Sequence, residues 1–212
     1  MPTIATLAAF AAASFAIMVI PGPAVLYIIN RSVSDGRRVG MASVVGIELG
    51  SFVHALAAAL GLSAIIATSA VAFITVKWLG AGYLIVTGIR TLATRAATLD
   101  LDRPAVSPRR AFRQGVTINI LNPKVALFFL SFLPQFIHPD RGRAGTQALV
   151  LGVVFVTVGF LTDGTYALGA SGLRNLLRRG QALPFVQRYV AGTVFIGLGV
   201  FAATTGQARA SA

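Results

Sequence analysis

The sequence Ile118-Asn-Ile-Leu-Asn-Pro-Lys-Val-Ala-Leu-Phe-Phe-Leu-Ser-Phe-Leu-Pro-Gln-Phe136 decides how this chain folds. It is apolar enough to lie in lipid, yet it places Asn119, Asn122, Pro123 and Lys124 within six positions. Proline at 123 removes a backbone donor and crowds the carbonyl four residues earlier, so we expect a kinked or broken helix. A break at membrane depth is stable only when it is buried in protein or lines a water-filled cavity. The stretch therefore predicts one half of a binding site inside a membrane protein.

The composition is that of an integral membrane protein. Of the 212 residues 56% are hydrophobic and only 11% are charged, whereas about one quarter are charged in soluble domains. Each predicted transmembrane segment has at least the roughly 20 residues that a spanning helix needs. These segments fall at about 4–30, 39–67, 70–92, 114–137, 146–172 and 185–206. We predict an all-α integral membrane protein with six transmembrane helices in a single domain, residues 1–212.

The basic residues predict the orientation of these helices. Thirteen arginines lie on one side of the predicted membrane: Arg31, Arg37, Arg38, Arg90, Arg95, Arg103, Arg109, Arg110, Arg113, Arg174, Arg178, Arg179 and Arg188. The other side has three, namely Arg141, Arg143 and Arg209. Because cytoplasmic loops are enriched in Lys and Arg, both termini are predicted to be periplasmic. The formal charge of +12 is explained by these loops, and no nucleic-acid partner is expected.

The chain divides near its middle into two similar halves. A polar cytoplasmic linker is predicted at 93–113, between three segments in 1–92 and three in 114–206. Moving the sequence by one hundred residues places Pro23 onto Pro123. Since each half has three segments, the second enters the membrane from the opposite side. Interrupted segments at matching positions of inverted repeats indicate a transporter's binding site near the membrane midplane, so we predict two inverted three-helix repeats.

The first segment carries its own interruption, Pro21-Gly22-Pro23. Two prolines around a glycine free carbonyls of the preceding turn and allow a second half-helix to begin with exposed amide N–H groups. That end is partially positive and suits a carboxylate. A kink that serves packing alone is the structural alternative.

Lys124 lies about eleven residues into its segment, which at about 1.5 Å per residue places it near the membrane middle. Its side chain either extends along the helix toward the cytoplasm or, with the start of the half-helix after Pro123, binds a substrate carboxylate. Asn119 and Asn122 either satisfy the freed backbone or contact the substrate.

Glu48 and Asp163 are the two carboxylates inside the apolar segments. Acids at this depth usually face a partner or a water path. Three roles are open to each: pairing with Lys124, binding a substrate ammonium, or taking up a proton during transport. A purely structural ion pair with Lys124 is the alternative. His54 is expected to be a packing residue, because about 600° of helical rotation separates it from Glu48.

The sequence predicts neither an enzyme nor a cofactor site. Cysteine is absent and there are two histidines, which excludes disulfides and thiolate chemistry and disfavours metal binding. No nucleophile, base and acid set with supporting context and no phosphate-binding glycine loop is present.

Taken together, the motifs resemble the LysE/RhtB family of bacterial amino-acid exporters. The resemblance lies in Pro21-Gly22-Pro23, the glycines at 36, 40, 46 and 50, Leu79-Gly-Ala-Gly-Tyr-Leu, Asn122-Pro-Lys-Val-Ala-Leu-Phe-Phe and Leu133-Pro-Gln-Phe. It covers almost the whole chain, although the fifth segment lacks the tryptophan often found there in this family. The family motif carries over to Pro21, Gly22, Pro23, Asn122, Pro123 and Lys124.

The resemblance implies an exporter of amino acids in the bacterial inner membrane, driven by inward proton movement. Small neutral polar amino acids are the substrates that it favours. The expected partners are this substrate, protons and membrane lipids, with assembly into a homo-oligomer left open. Export of other small toxic metabolites and a non-transporting membrane scaffold are the two alternatives.

Overall fold

The structure is a computed structural model and describes residues 1–68 and 105–172, with isolated positions at 75, 78, 82, 85, 86, 89, 90, 93, 196 and 200. Over 62–68 only the backbone is described. The regular structure of the two continuous ranges is entirely helical. Its helices are α1 (Ile4–Val19), α2 (Pro23–Asp35), α3 (Arg37–Thr68), α4 (Pro108–Ile120), α5 (Pro123–Ser131) and α6 (Ala144–Gly172), with short 3-10 helices at Leu133–Phe136 and Pro139–Arg141.

The described residues contain between two and four membrane spans. Arg37–Gly61 of α3 and the whole of α6 are each long and apolar enough to cross a bilayer. The pairs α1 with α2, and α4 with Pro123–Phe136, qualify only as broken spans, bent by 60° and 47°. The predicted segments at 70–92 and 185–206, and most of the linker, lie outside the described ranges. Six helices in two inverted repeats therefore stay a prediction.

Both breaks occur where the prolines place them, which confirms the predicted interruptions. Helix α2 begins at Pro23, directly after Gly22, and α5 begins at Pro123, directly after Asn122. Proline suits the first helical position because its fixed φ is helical and the missing N–H has no partner there in any case. The same residue deprives the preceding helix of a donor, so each span ends and restarts at this point.

Close contact between α3 and α4 depends on glycines. A Cβ on Gly50 would lie 2.8 Å from the Cβ of Asn119, and one on Gly115 would lie 2.8 Å from the carbonyl oxygen of Ser43. Side chains at these positions would force the backbones apart. The second break is therefore held directly against α3.

Two apolar clusters lie on either side of the breaks. The aromatic cluster consists of Phe10, Phe128, Phe129, Phe132, Phe136 and Phe155, with neighbouring ring centroids 4.7–6.2 Å apart. The aliphatic cluster contains Ala24, Ile28, Val44, Ile47 and Ala167, with Tyr27, Ile118 and Tyr166 packed against it. The pocket that contains the polar residues of the breaks is lined by members of both clusters, among them Phe155 and Ile47.

Contacts at the two ends of the helices show which connections lie together. Met1 donates its amino group to the carbonyl of Arg141, so the N-terminus and the connection before α6 lie at one end. Arg37 and Gly172, at the start of α3 and the end of α6, line one pocket at the other end. The N-terminus and Arg141 thus lie together, as the predicted topology requires, and the side of the membrane that they face stays a prediction.

Candidate functional site

A small polar cavity lies where the two breaks approach each other. Its volume is about 30 Å³, which holds about one or two water molecules and no amino acid. The site is therefore closed in this structure. The polar residues that line it come from both broken spans and from α3 and α6: Glu48, Ser51, Asn119, Asn122, Lys124 and Asp163.

Lys124 connects the second break to the first. Its Nζ donates to the carbonyl oxygen of Ile20 at 2.8 Å. The side chain passes over Gly22, where a Cβ would lie 3.4 Å from its Cδ and 3.6 Å from its Nζ. The ammonium thus ends inside the protein on the other broken span. This geometry excludes the alternative in which Lys124 extends along its own helix to the membrane surface.

The end of α1 exposes carbonyls that other elements satisfy. Because Pro23 has no N–H, the carbonyl of Val19 cannot receive its intrahelical bond. The hydroxyl of Tyr166, on α6, donates to this oxygen at 2.6 Å. The sequence alone did not single out Tyr166. Its position three residues after Asp163, on the same helix face, is the signal that could have found it.

The second break is completed in the same way from α3. Pro123 deprives the carbonyl of Asn119 of its intrahelical donor. The Nε2 of His54 lies 2.9 Å from that oxygen and, because a carbonyl only accepts, carries the proton. The ring also stacks on Phe129, with centroids 6.5 Å apart. His54 is a satisfied packing residue, as the sequence predicted.

The two asparagines of the second break hold its backbone in place. Asn119 donates from Nδ2 to the carbonyl of Ile47 and to the hydroxyl of Ser51, each at 2.8 Å. Asn122 donates from Nδ2 to Oδ1 of Asn119 at 3.3 Å, and its own Oδ1 accepts from the backbone N–H of Lys124 at 3.1 Å. Of the two roles that the sequence left open, this conformation shows the structural one.

The start of α2 differs from the start of α5. Asn122 caps α5 with its side chain, whereas Gly22 has none and no described side chain accepts from the first amides of α2. The N–H groups of Ala24 and Val25 lack intrahelical acceptors, and both residues line the cavity. Together with the ammonium of Lys124 they supply donors and positive charge for an anion.

Glu48 and Asp163 form a carboxyl pair across α3 and α6. Their carboxyl groups lie close together in a buried site, where two negative charges would repel each other. The hydroxyl of Ser51, which accepts from Asn119, also hydrogen-bonds to Glu48. Lys124 lies close enough to Asp163 for electrostatic attraction.

The absence of a side chain at Gly159 on α6 leaves room for the carboxyl group of Glu48. A Cβ on Gly159 would lie 2.5 Å from Oε1 and 2.6 Å from Oε2 of Glu48, closer than real atoms approach. The oxygen Oε2 has no hydrogen-bond partner in the described part of the chain. The position of Glu48 beside Asp163 therefore requires a residue without a side chain at position 159.

We expect Gly159→Ala to displace the Glu48 carboxyl from Asp163 and to reduce transport by at least about tenfold. The protein should remain folded, because the atoms in the way form the end of a flexible side chain and alanine favours helix by about 1 kcal/mol over glycine. Gly164→Ala is the matched control on the same helix, since no described atom lies within 4 Å of its added methyl. Transport rates are measured for both variants. Equal rates for Gly159→Ala and Gly164→Ala would contradict the role given to Gly159.

A larger cleft opens at the arginine-rich end. Its volume is about 990 Å³, and its lining includes Arg31, Arg109, Arg110 and Arg113. The hydroxyl of Tyr27 lies 3.0 Å from the carbonyl of Ala111 and 3.0 Å from Oε1 of Gln114 at this cleft. Tyr27 and Ile118, which line the cleft, also pack in the aliphatic cluster, which contains the cavity residues Ala24 and Ile47. The cluster therefore separates the cleft from the polar cavity.

These features define a membrane translocator with a closed polar site between two broken spans. The model of the LysE type translocator family matches residues 15–206, and the chain belongs to this family. Members of the family transport solutes and are not enzymes. Within the described residues no group of three or more His, Cys, Asp or Glu is placed to hold a metal ion.

Individual relatives agree with the family. A membrane protein of Vibrio cholerae described as uncharacterized is 32% identical over 185 residues, which cover 87% of this chain and 89% of the relative. A homoserine/homoserine lactone efflux protein of Salmonella typhi is 28% identical over 186 residues, with 87% and 89% covered. The protein of the same description in Salmonella typhimurium matches to the same extent. No solved structure matches the chain significantly.

Proposed function

We propose that this protein exports small neutral polar amino acids across the bacterial inner membrane in exchange for protons. The observation that carries the proposal is the hydrogen bond from Lys124 on the second break to the Ile20 carbonyl on the first. A buried ammonium between two broken helices is costly in a bilayer and is typical of substrate sites. A scaffold would need neither the charge nor the breaks.

The substrate carboxylate binds Lys124 and the amides that begin α2. Pro21, Gly22 and Pro23 create that helix start, and the side chain of Lys124 lies over Gly22. Pro123 and Asn122 create the start of α5, where Lys124 follows directly. Asn119 holds this break against α3 and so positions Lys124. The anion thus meets a full positive charge and a partially positive helix end.

Homoserine is the first substrate to test. The relatives from both Salmonella organisms are described as exporting homoserine and its lactone, and they match this chain over most of its length. Homoserine is a small, neutral and polar amino acid, and its carboxylate suits the donors at Lys124 and α2. The export direction is likewise inferred from these relatives.

The Glu48 and Asp163 pair is proposed to carry the coupling proton. We propose that the two carboxyls share one proton, because two negative charges this close in a buried site repel each other, and both residues line the closed cavity with Lys124. Release of that proton would leave two negative charges against one positive charge, which is costly where water is excluded. Because a neutral amino acid brings no net charge, release of the proton leaves one net negative charge, so we propose that the proton leaves only while the cavity is open to water.

Alternating access is proposed to move two inverted three-helix halves against each other. The bends of 60° and 47° at Pro-Gly-Pro and at Pro123 are the features that two such halves would share. The arginine-rich cleft is the proposed cytoplasmic entrance, with both termini on the opposite, periplasmic side. For the cleft to connect with the polar cavity, the residues of the aliphatic cluster around Tyr27 must move apart.

The test is efflux from proteoliposomes loaded with a mixture of amino acids that includes homoserine. We expect selective, gradient-dependent release of one or a few small polar amino acids, with protein-free liposomes as the control. Release of no amino acid by folded protein would contradict the proposal and direct the search to other metabolites.

A further inference from the structure

We infer, on the basis of the proposed function, that main-chain carbonyls at the end of α1 bind the ammonium group of the substrate. The carbonyl of Ile20, now occupied by Lys124, is its principal partner, and that of Val19 lies next to it. The acids Glu48 and Asp163 are then left for the proton. The substrate class follows: a zwitterion with its amine on the carbon next to the carboxylate.

The end of α1 is built to accept a cation. The last carbonyls of a helix are partially negative and have no intrahelical donors. Pro23 lacks the N–H that the Val19 carbonyl would receive, and Ile20 lies just past α1 in an extended conformation, so its carbonyl has no intrahelical donor either. An ammonium, that of Lys124, already lies 2.8 Å from the Ile20 oxygen. The Ile20 carbonyl therefore has the partial negative charge and the accessible position that a primary ammonium needs.

The start of α2 provides the complementary charge a few residues away. Pro21, Gly22 and Pro23 are the three residues between Ile20 and Ala24, and the amides of Ala24 and Val25 belong to the first turn of α2. In an α-amino acid a single carbon separates ammonium from carboxylate. One break thus offers an acceptor for an ammonium and donors for a carboxylate within a few residues of chain, the two partners that a zwitterion requires.

Binding exchanges one ammonium for another. The substrate carboxylate attracts Lys124 away from Ile20, and the substrate ammonium takes the carbonyl that Lys124 leaves. No buried carbonyl loses its donor, so the exchange avoids the cost of an unsatisfied polar group. In the closed structure Lys124 stands in for the substrate ammonium and keeps the break intact.

The carboxyl pair is a poorer partner for the ammonium. Glu48 and Asp163 lie beside each other, and Lys124 balances the single negative charge proposed for the pair. Glu48 is also held against Gly159 on α6. An ammonium inserted between them would have to separate the pair.

The test compares two ligands that differ in the ammonium alone. Binding of homoserine and of its hydroxy analogue, 2,4-dihydroxybutanoate, is measured by titration calorimetry on the purified full chain, unsubstituted and as Asp163→Asn and Glu48→Gln. We expect homoserine to bind at least about tenfold more tightly in all three proteins, because the carbonyl partner is unchanged. Loss of this preference in either variant would overturn the carbonyl assignment while leaving amino-acid binding in place. Failure of the unsubstituted chain to bind any amino acid would instead overturn the proposed function, and the inference with it.

A second measurement does not depend on the folding of those variants. In Lys124→Ala the Ile20 carbonyl loses its hydrogen-bond donor. Added methylammonium should take the place of the lost lysine ammonium. We expect methylammonium to raise the unfolding temperature of this variant by about 2–4 °C, and tetramethylammonium, which has the charge but no N–H, to have no such effect. Equal effects of the two ions would overturn the inference.

Discussion

Replacement of Lys124 by alanine should reduce homoserine efflux at least about 100-fold, since a charge-assisted hydrogen bond in a dry site contributes about 3 kcal/mol. The variant removes the cation that binds the substrate carboxylate and that links the two broken spans through Ile20. Efflux from proteoliposomes at matched protein content is the measurement. The amount of folded protein in the membrane is determined in parallel.

Arg143→Gln is the control for Lys124→Ala. It removes an exposed cation at the start of α6, away from the cavity, and should leave efflux unchanged. Lys124→Arg keeps the charge but places a larger planar group over Gly22, so we expect only weak activity. Normal efflux by Lys124→Ala would remove Lys124 from the site and with it the main support for the proposed function.

Asp163→Asn should abolish accumulation driven by a proton gradient while leaving exchange of substrate for substrate. Asparagine retains the shape of the aspartate but cannot take up or release a proton. For one-to-one exchange a difference of one pH unit supports about a tenfold substrate gradient, because both correspond to about 1.4 kcal/mol. In the variant this ratio should fall to about one.

Glu48→Gln separates the contributions of the two acids, and Asp140→Asn is the neutral control. Asp140 is exposed beside Arg141, at the end of the molecule that also holds the N-terminus, so its substitution should have no effect. If Asp163→Asn and Glu48→Gln both kept full gradient-driven accumulation, the carboxyl pair would have only a structural role. If one of them kept it, the other acid would carry the proton alone.

Local chemistry made the two breaks predictable from the sequence. Proline lacks an N–H and has a fixed φ wherever it occurs, so Pro23 and Pro123 begin new helices regardless of their surroundings. Lys124, Glu48 and Asp163 could be singled out for a similar reason. A charged group in an apolar segment is expensive and must find a partner.

The partners themselves could not be predicted, because they depend on how helix faces meet across long stretches of chain. Lys124 reaches Ile20 over a separation of 104 residues, and Tyr166 reaches Val19 over 147. The sequence left open whether Asn119 and Asn122 hold the backbone or contact substrate, and the answer lies in bonds to Ile47 and Ser51 on another helix.

By itself, the sequence determined that this is a helical membrane protein, where its spans break and which few ionisable residues matter, since backbone chemistry and the cost of burying charge act residue by residue. Only the tertiary structure decided which groups meet at the breaks. The reason is packing: glycines such as Gly50 and Gly159 set how closely α3, α4 and α6 approach, and that distance determines which donors can reach the carbonyls that proline leaves open.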